Sequence, residues 1–147
     1  MFDAIVVGTD GSDTEREAVR QAIDLAARLG ARLHVVSAYE PISGERLRGE
    51  SAEVPGDVRH GVNPREDVNL TLDGAAGEAK QQGVEAQTYP REGDPADAIL
   101  DVAEEERAEL IIVGNKGMTG AKRFLLGSVP NKVSHHAPCS VMIIRTS

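Results

Sequence analysis

Three glycines and a serine, Gly114, Gly117, Gly127 and Ser128, carry the residue types and spacing best suited to chemistry. Gly114-Asn115-Lys116-Gly117 directly follows the apolar run Leu110 to Val113. Nine residues later, Gly127-Ser128 leads into Ser128-Val129-Pro130, a segment able to start a helix. Strand, glycine-bearing loop and helix N-terminus in that order make a cradle for phosphate groups. Glycine lets backbone approach a ligand with no Cβ in the way, and the free N–H groups of a helix start favour anions. The spacing differs from a Walker loop, which needs four residues between glycines followed by Gly-Lys-Ser/Thr, and from a dinucleotide fingerprint, which follows the first strand. Charge agrees with an anion site: residues 110–147 contain Lys116, Lys122, Arg123, Lys132 and Arg145 and no acid, in a chain of formal net charge −8. A short segment that lacks acids by chance is the bland alternative.

A second loop offers Thr9, Asp10 and Ser12 after the apolar run Ala4 to Val7. A carboxylate at a strand end can hold Mg²⁺ beside phosphates, so Asp10 is the candidate metal contact. Asp10 and Ser12 are equally suited to capping the helix that follows, and Ser12 could cap and touch phosphate together. His135 and His136 are adjacent and do not share a helix face, which points to a structural place near a helix C-terminus. His34 reads as a hydrogen-bonded core residue.

The elements that must position these loops follow from periodicity. Ala4 to Val7, Leu33 to Ala38, Val84 to Pro90, Leu110 to Val113 and Ser140 to Arg145 read as strands. Between them run helical stripes: Ala18, Ala22, Leu25, Ala26 and Leu29, closed by Gly30; Val68, Leu72, Ala75, Ala76 and Ala79, closed by Gly83; Ile99, Leu100 and Ala103 behind an Asp94-Pro95 start; and Val129 with Val133. Glu104, Glu105 and Glu106 read as a solvated face. Residues 40–65, with three prolines and four glycines, read as one long loop, functional or disordered. Strands alternating with helices imply a doubly wound parallel sheet, with ligands beyond the strands' C-terminal ends where strand order reverses.

Composition bounds the rest. At 147 residues, 40% hydrophobic and 27% charged, the chain suits one soluble domain, 1–147, able to bury a core without staples. Phe2, Tyr39, Tyr89 and Phe124 are all the aromatics, and with the acidic balance they argue against nucleic-acid binding. The single Cys139 excludes an internal disulfide, fits a reducing compartment and reads as a small buried residue. No apolar run is long enough to span a membrane and the start lacks a signal-peptide pattern, so a cytoplasmic protein is expected. Val141 to Ile144 is apolar enough to need cover if it lies at a sheet edge, either from helices or from a partner strand.

The C-terminal pattern Gly114-x₂-Gly117-x₉-Gly127-Ser128, followed by Val-Pro-Asn-Lys-Val and His-His-Ala-Pro-Cys-Ser-Val, resembles the signature of the universal stress protein family. Ile-Val-Val-Gly-Thr-Asp-Gly-Ser and Leu-His-Val-Val resemble its first strand and turn and its second strand. The resemblance covers the chain apart from residues 40–65. It implies a five-stranded, Rossmann-like sheet in the order 3-2-1-4-5 and a homodimer formed through the last strand, 140–145. It also implies the ATP-binding subgroup. Thr9 and Asp10 would lie near phosphates, metal or ribose, and Val35 would touch adenine. Gly114, Gly117, Gly127 and Ser128 would hold ribose and phosphates, and Val129 would add a backbone N–H. Nothing transfers to Asn115 or Lys116, although Lys116 is placed to feel phosphate charge.

These readings converge on a stress-response protein that binds ATP, with Mg²⁺, as a sensor or regulator acting on an unknown protein partner. No positioned general base is evident, and binding phosphate does not itself accelerate transfer. Slow hydrolysis or autophosphorylation on Ser128 stays open, as do a cyclic-AMP binder and a nucleotide-independent interaction module. The first loop, Thr-Asp-Gly-Ser-Asp, fits neither adenylyl-transferring relatives nor a phospho-acceptor receiver domain.

Overall fold

Five parallel strands pair in the order β3-β2-β1-β4-β5, in a computed structural model that describes residues 2–40, 64–115 and 127–146. In chain order the elements are β1 (Ala4–Gly8), α1 (Asp13–Leu29), β2 (Arg32–Tyr39), α2 (Pro64–Gln81), β3 (Ala86–Glu92), α3 (Pro95–Glu105), β4 (Leu110–Gly114), α4 (Ser128–His136) and β5 (Ser140–Ile144). This is the expected alternation and strand order. Gly117 and Lys116 lie outside the described residues, as does most of the 40–65 stretch. Its last two residues do not belong to a loop. Pro64 and Arg65 open α2, where proline's fixed φ and missing N–H are harmless in a first turn.

The two central strands are apolar throughout because both of their faces are covered. Ile5, Val7, Leu33, Val35, Leu110, Ile112 and Ile144 pack under α1 and α2. The alternate residues Val6, Val36, Ile111 and Val113 pack under α3 and α4. A strand buried on both faces cannot alternate apolar and polar residues, which is why β1 and β4 read as short unbroken runs. α1 presents Ala18, Val19, Ala22, Ile23 and Ala26 to the sheet and ends on Gly30, whose φ of 67° is the left-handed cap that glycine adopts without cost. α3 starts on Asp94, whose side chain accepts from the Asp97 N–H at 3.0 Å, with Pro95 at its first position. Its buried side includes Val102, which the sequence reading passed over.

Register places the loops. β1 pairs Val7 with Val35 of β2 on one side and with Ile112 of β4 on the other. Strand order reverses between β1 and β4, so a crevice is expected between the β1–α1 loop and the end of β4 with the start of α4. β3 and β5 are the edges. β5 exposes Met142 and Ile143 to 38% each, so helices alone do not cover it.

Two smaller expectations are adjusted and a third holds. Cys139 is half-buried rather than enclosed, with burial still pushing its thiol pKa up. Glu105 is no idle surface acid, for Arg91 grips both of its oxygens at 2.9 and 3.0 Å. His34 is the core residue expected, with Nδ1 2.9 Å from the Tyr89 hydroxyl. Because Ile112 is fully buried in the middle of β4, Ile112→Ala should lower unfolding free energy by about 2–5 kcal/mol in urea titration, with an unchanged m-value.

Candidate functional site

Beyond β1 the chain makes a tight, self-bonded turn. The buried Thr9 donates its N–H to the Val36 carbonyl at 3.0 Å, one residue past the end of β1. Its Oγ1 accepts from the Gly11 N–H at 3.1 Å, and Asp10 Oδ1 accepts from the Ser12 N–H at 2.8 Å. Gly11 has φ of 84°, and a Cβ there would lie 2.7 Å from Thr71 Oγ1 on α2, so both conformation and space require glycine. Ser12 caps α1 by accepting from the Glu15 N–H at 3.3 Å. Asp10 and Ser12 thus both perform the local hydrogen bonding that the sequence allowed. Asp10 remains exposed at the mouth of the crevice.

Beyond β4 the chain is clamped by Asn115, which the sequence reading set aside. Its N–H donates to the Ile144 carbonyl at 2.8 Å and its carbonyl accepts from the Gly127 N–H at 2.9 Å. Its Oδ1 accepts from the Thr146 N–H at 2.9 Å and from the Thr146 hydroxyl at 3.1 Å. One residue therefore ties the ends of β4 and β5 to the start of α4. Gly127 is the N-cap of α4 and makes no side-chain cap, and the first turn holds no acid. The first helical hydrogen bond runs from the Asn131 N–H to the Gly127 carbonyl at 3.0 Å. Pro130 has no N–H, so Ser128 and Val129 supply the remaining donors of that turn. α1 and α3, by contrast, are capped by Ser12 and Asp94.

Glu15 is the residue whose placement the sequence did not disclose. Ser12-x-x-Glu15 is a capping-box spacing, in which the glutamate would return to the Ser12 N–H. Asp10 already holds that N–H. Glu15 instead turns inward, is 1% exposed, and leaves Oε1 buried with no hydrogen-bond partner among the described residues. It lies against the end of β4: a Cβ on Gly114 would stand 2.8 Å from Glu15 Oε1. Burial first, and the negative charge of Asp10 second, push its carboxyl pKa up to about 7.

The other expected residues divide. Gly114, Gly127, Ser128 and Val129 stand at the end of β4 and the start of α4, and Thr9 and Asp10 follow the end of β1. Val35 is fully buried mid-strand under α1 and α2. Of the basic residues in the C-terminal quarter, Lys116, Lys122 and Arg123 lie outside the described residues. Lys132 is occupied by Asp97 at 2.9 Å and Asp94 at 3.3 Å, so it bridges to α3 rather than serving an anion. A cavity of about 220 Å³ reaches the first loop at Thr9 and Gly11 and runs on to Leu70 and Thr71. A larger one, about 550 Å³, lies between Arg20, Ile23, Glu78 and Gln82, away from the strand ends. Among the described residues no group of three or more His, Cys, Asp or Glu could hold a metal ion, and no helix is long and apolar enough to cross a membrane.

A small doubly wound α/β domain with its polar loops gathered at the switch point is the class this architecture defines. A model of the universal stress protein family matches residues 1–145, and the chain belongs to that family. It is 35% identical to a universal stress protein of Mycobacterium tuberculosis over 99% of this chain and 98% of that one. It is equally 35% identical to universal stress protein YxiE of Bacillus subtilis, over 99% and 100%. Among solved structures, a universal stress protein in complex with cAMP superposes with a TM-score of 0.73 at 32% identity, covering 99% and 98% of the two chains. The Archaeoglobus fulgidus protein in complex with dAMP shares the fold, with a TM-score of 0.69 at 24% identity and 98% coverage of both chains.

The buried carboxyl also gives a pH dependence with a definite sign. A carboxyl whose folded pKa is about 7, against the ordinary 4.5, binds more protons folded than unfolded between those values. Stability is therefore lost as pH rises from 4.5 to 7 and levels off above, by up to about 3 kcal/mol from this group. Across that window the wild type should lose melting temperature relative to Glu15→Gln when both are followed by circular dichroism, the difference isolating this carboxyl from His34, whose pKa is lowered by burial and acts with the opposite sign.

Proposed function

We propose that this protein binds an adenine nucleotide at the switch point, as ATP with Mg²⁺, and acts as a cytoplasmic sensor whose occupancy is read by a partner protein. The observation that carries the reading is the start of α4, where an N-cap glycine without a side-chain cap follows a strand ending in glycine. A helix start whose N-cap glycine has no side chain to cap it offers its Ser128 and Val129 N–H groups to an anion. Gly114, Gly117 and Gly127 would hold ribose and phosphates, and Thr9 and Asp10 would close the other side. Val35 would contact adenine once the core above it yields. Mg²⁺ is commonly held by one or two carboxylates plus the nucleotide's phosphates. Asp10, exposed at the mouth, suits that role.

A second reading, cyclic AMP as ligand, has a specific observation behind it. Two acids, Asp10 and the buried Glu15, stand at this crevice, and Lys132 is engaged elsewhere. A singly charged phosphodiester meets less repulsion there than a triphosphate without metal. The relative solved with cAMP, at 32% identity, supports the same reading.

Titration calorimetry with ATP, ADP, AMP and cyclic AMP, with and without Mg²⁺, decides between them. Gly127→Val should abolish binding with the fold retained, because the side chain would enter phosphate space. Undiminished affinity in that variant would overturn the site. We also assign β5 to self-association, with its exposed edge pairing against a second copy. Ile143→Glu should convert a dimer to a monomer in sedimentation, and a wild type that is already monomeric at micromolar concentration would refute the assignment.

A further inference from the structure

We infer that Glu15 couples nucleotide binding at this site to pH: its carboxyl must be neutral for a phosphate to settle between Gly114 and the start of α4, so that binding takes up a proton and weakens as the pH rises. The inference rests on the nucleotide-binding reading and goes beyond it. Nothing in the glycine pattern involves position 15.

Geometry is the basis. Glu15 fills the space that a side chain at position 114 would occupy, at the end of the strand that borders the crevice. Among the described residues its Oε1 is buried without a partner, while the N–H that a capping glutamate would take belongs to Asp10. An ionised carboxylate whose Oε1 is cut off from water and from hydrogen bonds is in a costly state. A phosphate arriving nearby adds a second negative charge in a desolvated place, and protonation of Glu15 removes that repulsion. The reaction is a simple uptake: carboxylate plus solvent proton gives the neutral acid.

The charged surroundings make Glu15 the group that responds. Asp10, from the β1–α1 loop, adds negative charge to the carboxyl's burial, and both favour the neutral form. β4 contributes Gly114 and Asn115 at this end and no charge. On α2, Thr71 faces the loop at Gly11, and Glu78 is paired with Arg16 of α1 at 3.4 Å. The first turn of α4 carries no acid.

Cyclic AMP is the probe, because its diester phosphate keeps one charge across neutral pH. Titrations without metal at pH 6 and pH 8, each in two buffers of different ionisation enthalpy, read affinity and proton uptake together. Wild type should bind about tenfold more weakly at pH 8 than at pH 6, with uptake approaching one proton per site at pH 8. Glu15→Gln should bind equally at both, with no uptake from this site. Proton uptake that is present in the wild type and gone in this variant is a readout that a purely structural role would not move. Equal wild-type affinity at both pH values without uptake overturns the inference and leaves nucleotide binding intact. A pH dependence that survives in a folded Glu15→Gln also overturns it. Should that variant not fold, the wild-type buffer series decides alone, since an absence of uptake is fatal. Failure of every nucleotide to bind at either pH removes the site and this inference with it.

Discussion

Everything in this molecule follows from covering β1 and β4 on both faces. Once α1 and α2 lie on one side and α3 and α4 on the other, the central strands can carry no polar side chain along their length. Polar groups are displaced to the strands' ends, and since all five strands are parallel, their C-terminal ends lie on one side of the domain. The crevice is a consequence of sheet topology before it is a consequence of any motif. The reversal of strand order between β1 and β4 then parts the two loops that would otherwise close on each other.

Asn115 holds that parting fixed. Its backbone and side chain join β4, β5 and α4 at one point. The α4 start is thus referenced to the sheet. On the opposite wall Thr9, Asp10 and Ser12 spend their hydrogen-bonding groups on the turn itself. Both walls are set by short-range bonds among residues next to strand ends, which is where a binding surface gains most from being preorganised.

How much of this could be read from the chain depends on the range of the force involved. Strands and helices were legible because burial leaves a period in the sequence: Ala18, Ala22 and Ala26 recur along one helix face, and Leu110 to Val113 runs unbroken. The caps at Asp94 and Gly30 were legible because they act within one turn. Strand order came through family resemblance, since pairing between β1 and β4 joins residues about a hundred positions apart and leaves no local trace. Glu15 was not legible for the same reason. Its spacing from Ser12 suggested an ordinary helix cap, and only the competing Asp10 bond and the contact with Gly114 show otherwise. Lys132 misled in the other direction: its charge suggested an anion site, while Asp94 and Asp97 on another helix claim it.

Gly114 deserves a second meaning. Its lack of a side chain leaves room for a neighbour within the protein, whatever it also does for a ligand, because the carboxyl of Glu15 occupies that very space. Positions 15 and 114 are therefore one steric unit divided between a helix and a strand. In a genetic screen they would behave as partners: damage from a methyl group added at 114 could be repaired by shortening the side chain at 15. Among descendants of this chain a side chain at 114 is expected only where position 15 has shortened.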